Sequence, residues 1–180
     1  MAADTPDDAR ARFEALAAEV VEPVRRFLAR RTDPDTAEDV LAETLLVCWR
    51  RLDQVPEHAL PWVYGVARNC LANAQRGERR RMRLVAKISV VAPPDQETPP
   101  PDAGDDDLLE AMAALRPEDA ELLRLWAWER LTPAEIATVL QISANAASIR
   151  LHRARGRFKE ELRKIDDGAG HEGVREGREP

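Results

Sequence analysis

Apolar residues recur at helical spacing in successive segments of the chain. Phe13, Leu16, Ala17, Val20 and Val21 mark a first helix from Arg10; residues 1–9 are polar and expected to fray. Pro23 is expected to break or kink that helix, with Val24, Phe27 and Leu28 continuing a second segment to Arg31. Thr32-Asp33-Pro34 reads as a turn and cap before a long helix to about Leu52, whose inward stripe is Ala37, Val40, Leu41, Thr44, Leu45, Cys48 and Trp49. After a loop over 56–61, a third strong helix starts near Trp62. It turns Trp62, Val63, Val66, Cys70, Leu71 and Ala74 inward and extends through the basic run 79–83. Leu108 to Leu115 opens a second set of helices. Pro117 starts the next, with Leu122, Leu123, Leu125, Trp126 and Trp128 as candidates for the core.

The most informative pattern lies between Leu131 and Phe158. Thr132, Pro133 and Glu135 make a helix start: a capping hydroxyl, proline at the first helical position and a carboxylate three residues on. Ile136, Ala137 and Leu140 form a short apolar stripe, Gln141-Ile142 a tight turn, and Ser143 a cap for a second helix. On that helix Ala147, Leu151, Ala154, Phe158 and Leu162 face inward. Asn145, Ser148, Ile149, His152 and Arg153 face outward, with Arg150 and Arg155 on the flanks. A short helix, a tight turn and a longer helix with a cationic outer face is the helix-turn-helix plan for duplex DNA. An ordinary helical hairpin with a solvated basic surface is the alternative.

Composition sharpens this. Alanine and leucine dominate and aromatics make up only 4% of the chain, which favours helices over sheet. The net charge of −6 argues against a DNA binder until it is mapped. Residues 89–107 hold Asp95, Glu97, Asp102, Asp105, Asp106 and Asp107 and no Lys or Arg, so this stretch alone accounts for the whole imbalance. Elsewhere the cations cluster: seven between Arg68 and Lys87 against Glu78, and seven between Arg150 and Lys164 against Glu160 and Glu161. A phosphate backbone responds to that local charge. The segment 89–107 is proline-rich and without helical periodicity, and is expected to be a linker. Its nineteen residues at about 3.1 Å each span up to roughly 60 Å, or about 17 base pairs. The glycine-containing tail 166–180 is expected to be disordered. Cys48 and Cys70 lack metal or redox spacing and read as buried small hydrophobes, and the three histidines match no metal-ligand pattern. No run is apolar enough to span a bilayer and the N-terminus is not a signal peptide, so the expected location is the cytoplasm, without membrane insertion.

Two further faces carry candidate chemistry. Asp35, Glu38, Asp39 and Glu43 line up at i, i+3, i+4 and i+8, either as a solvated helix face or as a docking edge for a basic partner. On the third helix Tyr64, Arg68, Asn69, Asn73 and Arg76 point away from the apolar stripe, ahead of Arg79, Arg80 and Arg81. Aromatics and amides beside arginines suit single-stranded nucleic acid, since rings stack on bases, amides read base edges and arginines hold phosphates. Trp62 and Tyr64 have a core role as their alternative.

With these residues in view, the chain resembles the extracytoplasmic-function (ECF) sigma factors of bacterial RNA polymerase over residues 10–163. The motifs that carry the resemblance are AEDVLAETLLVCWRRLD (37–53), PWVYGVARNCLANAQRGERRR (61–81) and the order LRPEDAELLRL, LTPAEIA, IRLHRARGRF. The resemblance implies an all-α fold of two small helical domains: a region-two-like domain at 10–88 and a region-four-like helix-turn-helix domain at 108–165, joined by the linker 89–107. It implies core RNA polymerase and promoter DNA, both duplex and melted single strand, as partners, commonly an anti-sigma factor, and no cofactor. Asp39 and Glu43 match acidic positions that dock on the polymerase, and Asp35 and Glu38 extend their row. Asn69 matches an asparagine near a flipped base of the −10 element, with Asn73 close by. Arg68, Arg76, Arg79, Arg80 and Arg81 fall on the basic surface beside it. Arg150, His152, Arg153 and Arg155 match positions facing the −35 element, alongside Asn145, Ser148 and Ile149.

The chain departs from the family at several points. Ala42 stands where glutamine is common, and Gly65 where many members have a cation. The second helix of the helix-turn-helix opens with Asn145, Ala146, Ala147 and Ser148 instead of glycine-threonine-valine and a cation. Loss of that cation and the arrival of Ile149 suggest either an altered −35 preference, with apolar contact to a thymine methyl, or weak duplex affinity. A regulator that binds DNA without joining polymerase is the rival reading, for it needs neither the acidic row nor the first basic run. An enzyme lacks support, since no nucleophile–base pair, metal cluster or glycine-rich phosphate loop is visible.

Overall fold

The computed structural model describes residues 6–88 and 106–172, with side chains over 7–83 and 107–167. Residues 89–105 of the expected linker and 173–180 of the expected tail lie outside the described residues. Every regular element among the described residues is helical: α1 Pro6–Ala29, α2 Pro34–Arg50, a 3-10 turn Leu52–Gln54, α3 Ala59–Ile88, α4 Asp106–Ala113, α5 Pro117–Ala127, α6 Pro133–Leu140 and α7 Ala144–Glu172. The chain folds as two compact units. The first is built from α1–α3, the second from α4, α5, α7 and the first turns of α6.

In the first unit, α1 is one helix where the sequence suggested two segments. It begins at Pro6, inside the stretch 1–9 expected to fray and ahead of the expected start at Arg10, because proline at the first position and Asp7 and Asp8 in the first turn suit a helix start. It also runs through Pro23 without a break. Val20 and Val24 on either side of the proline are both fully buried, as are Phe27 and Leu28, and that packing outweighs the one lost backbone hydrogen bond. Asp33 caps α2, its carboxylate accepting from the Thr36 backbone N–H at 2.9 Å, and Pro34 takes the first helical position. The stripe Ala37, Val40, Leu41, Thr44 and Cys48 is buried as the spacing requires. The buried Thr44 hydroxyl donates to the Val40 carbonyl at 2.7 Å, so no polar group is stranded there. Burial pushes the Cys48 thiol up to about 11, and it raises Cys70 in the same direction, with the Glu43 carboxylate adding to the Cys70 effect. Both are therefore protonated, unreactive thiols at neutral pH.

Two aromatic expectations fail here. Trp49, assigned to the α2 core stripe, is 43% exposed and meets Phe13 edge to face with ring centroids 5.2 Å apart. Tyr64, expected to point outward, is buried against Phe27 at 5.0 Å. The helical register alone leaves both at the border of the apolar face, and the position of α1 decides which goes in.

In the second unit, Ala111, Met112 and Leu115 from the first helical segment, Leu122, Leu123 and Leu125 from α5, Ile136 and Ala137 from α6, and Ala147, Leu151 and Ala154 from α7 are buried. Asp119 is also buried, and Arg157 on α7 donates to its carboxylate, tying the start of α5 to the long helix. The helix α7 continues to Glu172, beyond Ile165 where the tail was expected to begin. The Arg163–Asp167 pair, one turn apart, lies across that boundary and supports the added turns, with Lys164–Glu161 just ahead of it. At the other end, Asp106 and Asp107, expected in the linker, begin α4, where the Asp107 carboxylate suits the helix dipole. No helix among the described residues is long and apolar enough to cross a membrane.

Candidate nucleic-acid interface

The helix-turn-helix is assembled by local chemistry. At the start of α6 the Thr132 hydroxyl accepts from the Glu135 N–H at 3.4 Å, while the Glu135 carboxylate accepts from the Thr132 N–H at 2.8 Å. This reciprocal box satisfies two donors that a helix start leaves unpaired. The helix ends at Gln141, whose backbone is left-handed (φ 54°), and the Ile142 N–H donates to the Ala137 carbonyl at 3.0 Å. That 6→1 bond closes the last turn and redirects the chain. Ser143 then caps α7, its hydroxyl accepting from the Ala146 N–H at 3.1 Å.

With Ala147, Leu151 and Ala154 inside, Asn145, Ser148, Ile149, Arg150, His152, Arg153 and Arg155 are all exposed. Ile149 is 44% exposed, an apolar residue in the middle of a polar face. The seven cations of this stretch are in different physical states. Arg157 is held by Asp119, Arg163 by Asp167 and Lys164 by Glu161, whereas Arg155 lies with its guanidinium 4.5 Å from the centroid of the Trp126 ring. Trp126 itself, expected to pack beneath the helix-turn-helix, is 40% exposed. Its register, one turn after Leu122, is that of the buried side of α5, but the helix ends at Ala127 and leaves the ring at its open end beside Arg130, Thr132 and Pro133.

On α3, Asn69 and Asn73 are exposed one helical turn apart, and Arg68, Arg76, Arg79, Arg80, Arg81 and Arg83 are exposed around and beyond them. The structure brings the second amide and the first distal cation together: Arg76 donates to the Asn73 Oδ1 at 2.6 Å. Arg80 Nε donates to the Arg76 carbonyl at 3.3 Å. With Tyr64 in the core and Trp62 half-buried, this face offers amides and guanidinia without the exposed ring that base stacking was expected to use.

On α2 all four carboxylates of the predicted row are exposed. They are not equivalent, because Glu38 accepts from Arg25 Nε on α1 at 3.0 Å, an arginine that also binds Glu22. Sequence reading missed Leu46, which is 46% exposed. It follows Asp39 and Glu43 at i+7 and i+3, so an apolar residue extends the acidic edge along one face. Its signal was present, since Leu46 lies outside the stripe that the buried residues of α2 define.

Residues 105–158, which take in α4 to α6 and the first half of α7, match the family described as Sigma-70, region 4. The ECF RNA polymerase sigma factor SigL of Mycobacterium tuberculosis is 34% identical over 136 residues, covering 72% of this chain and 76% of that protein. The RNA polymerase sigma factor CarQ of Myxococcus xanthus is 29% identical over 171 residues, covering 89% of this chain and 94% of its own. Among solved structures, the sigma factor RpoE of Bartonella quintana, crystallised with the anti-sigma factor NepR, shares the fold. Its TM-score is 0.59 at 22% identity, over 84% of this chain and 96% of that one. From its likeness to SigL along both helical units, the chain belongs to the ECF sigma factors, the family that directs RNA polymerase to promoters for specific transcription.

Proposed function

We propose that the two units divide promoter recognition between them, with α7 reading a −35 duplex and α3 holding melted −10 bases. The observation that carries this reading is the outer face of α7. Asn145, Ser148, Ile149, Arg150, His152, Arg153 and Arg155 all face solvent behind a capped helix and turn. A helix of this kind fits a major groove, with amide and hydroxyl groups toward base edges and cations toward phosphates. Ile149 replaces a polar contact with an apolar one, which suits a thymine methyl.

In the first unit, Asn69 and Asn73 receive unstacked bases while Arg68, Arg76, Arg79, Arg80 and Arg81 hold the strand. Unstacking costs a few kcal/mol per base, offset by amide hydrogen bonds and phosphate contacts. The edge Asp35, Asp39 and Glu43 seats the protein on a basic surface of core polymerase, with Leu46 adding apolar contact; Glu38 is the member already engaged within the fold. Residues 10–88 and 108–165 are thus a docking and melting domain and a duplex-reading domain on either side of the 89–107 tether. The protein acts in the cytoplasm, catalyses no reaction itself, and is restrained by an anti-sigma factor, as the RpoE relative is seen bound to one.

The test is run-off transcription with purified core polymerase. Asn69→Ala lowers open-complex formation on duplex promoters more than on pre-melted ones, whereas equal losses on both would assign the asparagine a structural role. Asp39→Arg with Glu43→Arg abolishes capture of core polymerase; unchanged capture would remove α2 from the docking surface.

A further inference from the structure

We infer that Trp126 is a positioning residue for DNA binding: its indole holds the Arg155 guanidinium in place, still charged and with its donors free, on the duplex-facing side of α7. The inference rests on the proposed role of α7 and adds a residue from α5 to that surface.

Three observations lead to it. First, Trp126 is 40% exposed while its α5 neighbours Leu122, Leu123 and Leu125 are buried, so the ring is not needed to fill the core. It also walls an open hollow of about 530 Å3 that continues past Arg130 to Thr132 and Pro133 at the start of α6. Second, the Arg155 guanidinium carbon lies 4.5 Å from the ring centroid, within the range of a cation–π contact. Third, Arg155 has no carboxylate partner among the described residues, in contrast to Arg157, Arg163 and Lys164 on the same helix.

The mode of restraint matters. An ion pair fixes an arginine by neutralising it and occupying its N–H fork. Contact with a ring face neutralises nothing and leaves N–H donors available for a phosphate. Arg155 shares one flank of α7 with Ser148 and His152, at i, i+4 and i+7. A guanidinium already ordered on that flank loses less side-chain freedom when a phosphate arrives.

The experiment uses the full chain assembled with core polymerase. Anisotropy is measured on a labelled duplex recovered by the wild-type holoenzyme from a genomic fragment pool, across a KCl series. Arg155→Ala weakens binding and lowers the salt slope by about 0.9, the signature of one lost phosphate contact. Trp126→Ala weakens binding by about two- to fivefold with the slope retained, because the cation is still present but no longer held. Trp126→Phe recovers most of the loss, and Trp126→Ala adds nothing when Arg155 is already alanine. In the free protein, Trp126→Ala removes the ring-current shift of the Arg155 side-chain protons by NMR. Additive losses in the double variant, or an unchanged Arg155 spectrum, would overturn the inference. If Arg155→Ala is silent while Arg150→Ala and Arg153→Ala weaken binding, the positioning role fails alone; if all three are silent, the reading of α7 as the duplex helix fails with it.

Discussion

The basic stretches of α3 and α7 hold seven cations each, yet the fold treats them differently. On α7, Arg157, Arg163 and Lys164 are engaged by carboxylates of their own unit, and Arg155 by an indole. On α3, Arg68, Arg76, Arg79, Arg80, Arg81 and Arg83 have no carboxylate partner among the described residues; two make hydrogen bonds to an amide and a backbone carbonyl. The first stretch is partly neutralised by its own unit, and on its duplex-facing part Arg155 is held without loss of its charge. The second is a dense field of uncompensated charge. That difference suits the ligands proposed for each, since a duplex presents a fixed phosphate lattice, and a melted strand has to be gathered by attraction before any base is read.

The largest expected effect tests whether the α7 pairs are structural. Asp119→Ala leaves Arg157 without its carboxylate and destabilises the second unit by about 1.5–3 kcal/mol, read by urea unfolding. A negligible change would mean that the pair is incidental and that Arg157 belongs with the DNA-facing cations.

A smaller effect separates the two basic stretches directly. Arg79→Ala with Arg81→Ala lowers the salt slope of single-strand binding by about 1.4, at roughly 0.7 per phosphate contact. Arg163→Ala with Lys164→Ala leaves the slope of duplex binding unchanged. Equal slopes for wild type and the α3 variant would place that charge away from the strand.

The caps extend the contrast to pH. The N-cap of α2 is the charged Asp33, held below the usual carboxylate range by hydrogen bonds from Thr36, while the N-cap of α7 is the neutral Ser143. A depressed carboxyl contributes stability that is complete above its unfolded value of about 3.9 and is lost as pH falls through the folded value. Acid titration below about pH 4 therefore weakens the α2 cap, and Asp33→Asn makes this contribution independent of pH. Ser143→Ala costs about 1 kcal/mol at every pH. The smallest effect concerns the turn between α6 and α7. Gln141→Gly relieves a left-handed backbone but adds freedom to the unfolded chain, so the net gain is below about 1 kcal/mol in thermal unfolding. A loss would show that the Gln141 side chain itself stabilises the turn.

Much of this molecule was legible in its residues. Helical spacing placed the core of α2 and the inward stripe of α7. The Thr132–Glu135 box, Pro133 and Ser143 marked the helix-turn-helix because caps and turns are set by neighbours a few residues apart. The same locality made Asn69, Asn73 and the α7 face readable as exposed positions. What residue order could not decide were the choices made between helices. Pro23 passes through an unbroken helix because packing on both sides holds it. Tyr64 goes in against Phe27 and Trp49 stays half out beside Phe13 because α1 covers the two border positions unequally. Arg157 becomes a strut and Arg155 a poised cation because a carboxylate and an indole on α5 happen to meet them. Local chemistry determines where helices begin, end and turn their apolar sides; only packing between distant segments determines which border residues are buried and which charges remain free to act.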